Sequence, residues 1–100
     1  MARYRLVAFS NAADGRDDDY NRWYDRQHMP DVLSIPGMVS AERYTCVGEG
    51  PHKYMAIYEI ETDDLEDLLA EFQKRGGTEL MPISDALDPT TAHLAFWRPY

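Results

Sequence analysis

The sequence predicts an α+β domain of order β-α-β-β-α-β, and three observations carry that reading. Four short segments alternate in the period-2 manner of strands, two longer ones repeat with helical spacing, and Gly, Pro, Asn and Asp clusters fall between them. The order is that of a split βαβ unit, a four-stranded antiparallel sheet with two helices on one face.

Each element has a local reason. Arg3–Ser10 reads as the first strand, with Leu6, Val7, Ala8 and Phe9 at its centre. Asn11-Ala12-Ala13-Asp14-Gly15 reverses the chain, and Asp17, Asp18 and Asp19 suit the positive end of a helix. That helix places Tyr20, Trp23, Tyr24, Gln27 and His28 on one face. Pro30 lacks an amide hydrogen and disfavours helix at Met29, which predicts a break or kink there, with one further turn over Asp31–Ile35 before Pro36-Gly37.

Met38–Val47 reads as the second strand, Gly48–Lys53 as a hairpin loop, and Tyr54–Glu61 as the third strand. Thr62 or Asp63 caps a second helix whose buried face is Leu65, Leu68, Leu69 and Phe72. Lys74 and Arg75 suit its negative end, and Gly76 its terminal left-handed position. Gly77–Thr91 is aperiodic and reads as a loop with one helical turn near Ser84, and Ala92–Arg98 as the last strand. The arrangement is ferredoxin-like, and the 100 residues form a single domain, 1–100.

Two helices cover one face of a four-stranded sheet, so a monomer's other face should be polar. The strands are apolar on both sides. Leu6 and Ala8 oppose Val7 and Phe9, Tyr54, Ala56, Tyr58 and Ile60 oppose Met55 and Ile57, and Ala95 and Trp97 oppose Leu94 and Phe96. A second copy of the sheet is the simplest cover, which predicts a homodimer.

Composition excludes several partners. The net charge is −8, and the ten basic residues are scattered, which argues against nucleic acid and against an acidic membrane surface. No apolar run reaches the ~20 residues of a membrane span. The opening Met1-Ala2-Arg3-Tyr4-Arg5 runs into a strand pattern rather than a signal-peptide core, which points to the cytoplasm. Cys46 is the single cysteine, so there is no internal disulfide and no thiolate metal site. The three histidines lack metal-ligand spacing and no glycine-rich phosphate loop is present, so neither metal nor cofactor is expected.

Several motifs together carry a family resemblance. Asp14-Gly15-Arg16, Tyr20-Asn21-Arg22-Trp23-Tyr24, His28-Met29-Pro30-Asp31-Val32 and Ile35-Pro36-Gly37 fall in order, followed by Arg43-Tyr44 and Tyr54–Glu59. From Phe9 to Leu65 the chain resembles the EthD-like branch of the dimeric α+β barrel superfamily. The resemblance implies ferredoxin-like subunits pairing sheet to sheet, with a pocket in each. Relatives include small polyketide cyclases, cofactor-free monooxygenases, lactone isomerases and haem-binding enzymes. EthD itself is regarded as accessory to an ether-degrading oxidation system. The His-x-Pro motif at the end of the first helix is the one suspected of acting in the pocket, and here it is His28-Met29-Pro30.

His28 is therefore the candidate catalytic residue, as an acid or base near neutrality. Tyr24, one turn earlier on the same stripe, shares the wall with it. Tyr44 and Tyr58 are candidate substrate-binding hydroxyls, set against a purely amphipathic core role. His93, opening the last strand, is the second histidine candidate for the pocket. The opposing reading has His28 hydrogen-bonded to backbone at the Pro30 break. Asp31 either orients His28 or caps the following turn, the cap being favoured. Trp23 and Trp97 read as packing, Arg43 and Glu59 as a cross-strand pair, and His52 as a solvated loop residue. Two functions follow. One is a cofactor-free enzyme performing cyclisation, isomerisation, decarboxylation or oxygenation on a hydrophobic aromatic or polyketide-like compound. The other is a non-catalytic binding or accessory protein of an oxidative degradation pathway. Haem binding, through His28 or His93, is a third and weaker reading.

Overall fold

The computed structural model describes residues 2–100. β1 (Ala2–Ala12), β2 (Met38–Thr45), β3 (Tyr54–Thr62) and β4 (Leu87–Trp97) form one antiparallel sheet in the order β2-β3-β1-β4. A first helical stretch runs from Asp17 to Leu33 as α1 (Asp17–Trp23), a π turn (Tyr24–His28) and α2 (Met29–Leu33), and α3 spans Leu65–Arg75. The predicted β-α-β-β-α-β order is the observed one.

Register fixes the two faces. Leu6 pairs with Tyr58 and Phe96, and Ala8 with Ala56 and Leu94, so these residues share the helical side. There Leu6, Ala56, Tyr58 and Ile60 meet Tyr20, Tyr24, Val32, Ile35 and Leu68 in the core. Full burial of a side chain such as Leu68 contributes about 1.5–3 kcal/mol. Ser10 Oγ and the fully buried Tyr20 Oη lie 2.6 Å apart, so both hydroxyls are satisfied where helix crosses strand. On the opposite face Val7, Phe9, Met55, Ile57 and Ala95 are half-buried, while Tyr44 and Trp97 are exposed.

The predicted break at Met29 does not occur. His28 and Met29 keep helical backbone angles, and the chain widens into the π turn instead. The Met29 amide donates to the Tyr24 carbonyl, five residues back. The residues whose carbonyls Pro30 would otherwise serve, Asp25 and Arg26, are exposed to water. Water can therefore serve those carbonyls, and the missing amide ends no helix.

Other boundaries shift for local reasons. Asp64, not Thr62 or Asp63, caps α3, its carboxylate accepting the Asp67 amide at 3.0 Å. Gly76 has φ −56°, and the left-handed residue is Gly77 at φ +78°. At Gly37, φ is +102° and a Cβ would lie 2.8 Å from Leu68 Cδ1, so only glycine fits where helix turns into β2. β4 begins at Leu87 rather than Ala92, absorbing part of the expected loop. Its polar start hides the strand. Asp88 Oδ1 accepts the Thr90 amide, and Thr91 Oγ1 accepts the Asn11 amide, at a register shift between Phe9 and Asn11.

Candidate functional site

His28 ends the π turn and lines a cavity of about 190 Å³ on the helical side of the sheet. β1 contributes Ala8 and Ser10 to its wall, the first helix Trp23 and Tyr24, and α3 Phe72. Met81 and Ile83 from the following loop, and His93 and Leu94 from β4, complete it. No Lys, Arg, Asp or Glu lines it.

Aromatic contacts hold the imidazole. The Trp23 ring stacks on it at 4.6 Å and 28°, and the Tyr24 ring meets it edge-on at 5.0 Å and 79°. Trp23, expected as packing, is itself anchored by its indole N–H, which donates to the Pro82 carbonyl at 3.2 Å. His28 Nδ1 is sealed from solvent and has no hydrogen-bond partner among the described residues. The expected alternative, a bond to backbone at the Pro30 position, is therefore not made. Burial pushes the imidazole from 6.5 down to about 4, with the Asp31 charge opposing the shift, so the ring is neutral at pH 7.

Asp31 neither caps a turn nor bonds His28, because its carboxylate accepts the Gln27 amide at 2.7 Å. Gln27 correspondingly leaves the predicted buried stripe and is exposed. The π turn changes the phase of the helix, which the simple 3.6 spacing does not anticipate.

The predicted site residues divide. His28 and Tyr24 line one cavity, and His93 borders it at the β4 edge, although its pairing with Phe9 sets its side chain towards the opposite face of the sheet. Tyr58 is not part of its wall but is buried in the core on β3, and its hydroxyl meets no partner of good geometry although it perturbs that of Tyr24. Burial raises both phenols, Tyr24 up to about 12, so both stay protonated. Tyr44 is on the opposite face of the sheet, exposed and bonded to the Glu42 carboxylate. His52 packs against Phe9, ring centroids 5.4 Å apart, rather than standing free in its loop.

Arg43 does not pair with Glu59. The register sets it opposite Ala56 on the helical side, where it reaches Asp25 Oδ1 and Asn21 Oδ1, each at 2.8 Å. Glu59 pairs instead with Arg5 at 3.7 Å and accepts from Ser40. Ser10, Phe72 and Met81 were missed as cavity residues. Of these only Phe72 had a signal, its place on the apolar stripe of α3.

No protein-family model matches the chain, and no curated protein matches it in sequence. Its ferredoxin-like βαββαβ fold is shared by several solved structures. A protein from Shewanella loihica provisionally named a monooxygenase superposes with a TM-score of 0.69 at 11% identity, covering 99% of this chain and 95% of that one. One from Bordetella bronchiseptica, provisionally named an antibiotic biosynthesis monooxygenase, gives 0.67 at 18%, with 100% and 99% covered. An EthD family protein from Bacillus halodurans gives 0.55 at 14%, with both chains covered in full. At these identities the likeness is one of fold.

Proposed function

We propose that this chain is a homodimeric, EthD-like pocket protein that binds a small, neutral, flat hydrophobic molecule and removes a proton from it through His28. The observation that carries this reading is a neutral histidine, its buried Nδ1 without a hydrogen-bond partner among the described residues, in the wall of a cavity with no charged lining.

The lining selects the ligand class. At about 190 Å³ the cavity is smaller than the ~300–1,000 Å³ pockets that take drug-sized ligands, which suits one or two fused rings. A tetrapyrrole does not fit this volume. A carboxylate or phosphate would enter without a counter-charge and lose its hydration. That disfavours decarboxylation and leaves reactions that begin by proton removal, namely cyclisation, isomerisation or oxygenation beside a carbonyl or on a phenol.

His28 suits a base that works only against its own substrate. Nδ1 is sealed, so the proton is exchanged at Nε2. The imidazolium formed has only the rings of Trp23 and Tyr24 around Nδ1, and is costly unless the substrate anion lies beside it. The developing anion raises the basicity of His28 as the transfer proceeds.

The alternative, a non-catalytic binding or accessory protein, is supported by the low basicity of free His28. Two probes separate the readings. 1-Naphthol should quench the emission of Trp23 and bind at least ~10-fold more tightly than 1-naphthoate, and His28→Ala should weaken the naphthol. Exchange of the α-protons of 2-tetralone in D₂O, followed by NMR, should be accelerated by the protein and not by His28→Gln. Binding of naphthol without any acceleration would favour the accessory role. Equal binding of naphthoate would overturn the neutral-ligand reading.

A further inference from the structure

We propose that Arg43, which lies outside the cavity, is a positioning residue that pins the π turn and thereby sets Tyr24 and His28 in the cavity wall. Its guanidinium is held at two points. Nη1 donates to Asp25 Oδ1 and Nη2 to Asn21 Oδ1, both at 2.8 Å. Asn21 belongs to α1 and Asp25 to the π turn, so one rigid fork spans the junction between the two helical windings. A change in where the π turn starts would rotate Asp25 relative to Asn21, and the fork fits only one such spacing.

The same guanidinium covers the ring of Tyr24, its Cζ 4.4 Å from the centroid, while His28 meets that ring at 5.0 Å. Tyr24 is thus gripped between a cation on β2 and the cavity histidine. The Arg43 side chain is only 15% exposed, so its cation–π and ionic contacts are weakly screened, although Asp25 itself is exposed. Asn21 is fixed in turn, its amide donating to Tyr54 Oη at 3.3 Å, and Tyr54 Oη donates to Asp17 at 2.6 Å. The chain of contacts runs from β2 and β3 through both windings of the helix to the cavity. Of the charged groups, only Asp31, on α2, acts on His28 directly.

The inference concerns the placement of His28 and does not require it to transfer a proton, so it is tested without ligand. The imidazole ¹⁵N shifts of His28 are followed from pH 7.5 to 4.5 in wild type, Arg43→Met and Arg43→Lys, alongside Tm. Wild-type His28 should remain largely neutral throughout. In both variants a loosened π turn hydrates the ring, and its protonated-to-neutral ratio at pH 5 should rise at least ~10-fold. Lysine keeps the charge and fails as a fork, so Arg43→Lys should not restore the wild-type profile. A wild-type profile in Arg43→Lys would show that charge alone suffices and would overturn the clamp. A fall in Tm with an unchanged profile in Arg43→Met would leave Arg43 a merely structural residue. If Arg43→Met does not fold, Asn21→Ala removes one prong of the fork. A shift of the same sign would then support the proposal, and an unchanged profile would reject it.

Discussion

At the scale of residues, the sealed nitrogen of His28 ties the site to stability. Its folded pKa, about 4, lies below the ordinary 6.5, so the unfolded chain binds the proton more readily. The neutral ring's contribution is complete above pH 6.5 and is lost as pH falls from 6.5 towards 4. Between pH 7 and 5 the loss should be about 1–2 kcal/mol, allowing for the partial exposure of the ring. His28→Phe keeps an aromatic ring against Trp23 and removes the unpartnered Nδ1. Urea unfolding at the two pH values should then show a smaller pH dependence than wild type and no loss at pH 7. An equal slope in both proteins would place the acid sensitivity elsewhere. His28 was legible in the sequence because its type and its neighbour Pro30 single it out. Arg43 was not. Its role depends on which strand face it occupies, and a register cannot be read from one strand alone.

At the scale of elements, periodicity located all four strands and both helical stretches, and it failed where geometry departs from a regular repeat. The π turn and the start of β4 are the two cases. In each, extra residues are accommodated inside an element, by a wider winding around Tyr24–His28 and by the irregular pairing after Phe9, where β4 runs from His93 to Asp88 while β1 advances only from Phe9 to Asn11. Pro30 predicts a break or kink, yet a helix whose outer side is wet can lose one amide and continue. Pro30→Ala tests this. The new amide can bond a carbonyl one turn back, while the unfolded chain gains freedom, so the net change in stability should be under about 1 kcal/mol. The amide and ring shifts of Tyr24 and His28 should nevertheless move, because the reason for the wider winding has gone. Unchanged shifts would mean that the π turn is held by the Arg43 side of the helix and not by Pro30.

At the scale of the whole molecule, the open face of the sheet joins the fold to the proposed dimer. Val7 and Ile57 are register partners at its centre, with Phe9, Met55 and Ala95 around them and Trp97 59% exposed beside them. Charged pairs gather at one end, where Arg3 meets Glu61 at 3.3 Å and Arg5 meets Glu59 at 3.7 Å. An apolar centre with a charged rim is the anatomy of a protein interface. Each copy carries a net charge of −8, so association brings like charges together and should strengthen as salt screens them. Sedimentation equilibrium should therefore show a dimer whose dissociation constant falls between low salt and 0.3 M salt. Ile57→Glu sets a carboxylate at the centre of that face and should give a monomer with the helical side intact. The cavity around His28 lies on the other face of the sheet, so naphthol binding by the monomeric variant should persist, weakened only as far as the sheet itself loosens. A wild-type chain that stays monomeric at high salt would leave the apolar centre to another partner. An Ile57→Glu dimer would place the interface on a different surface.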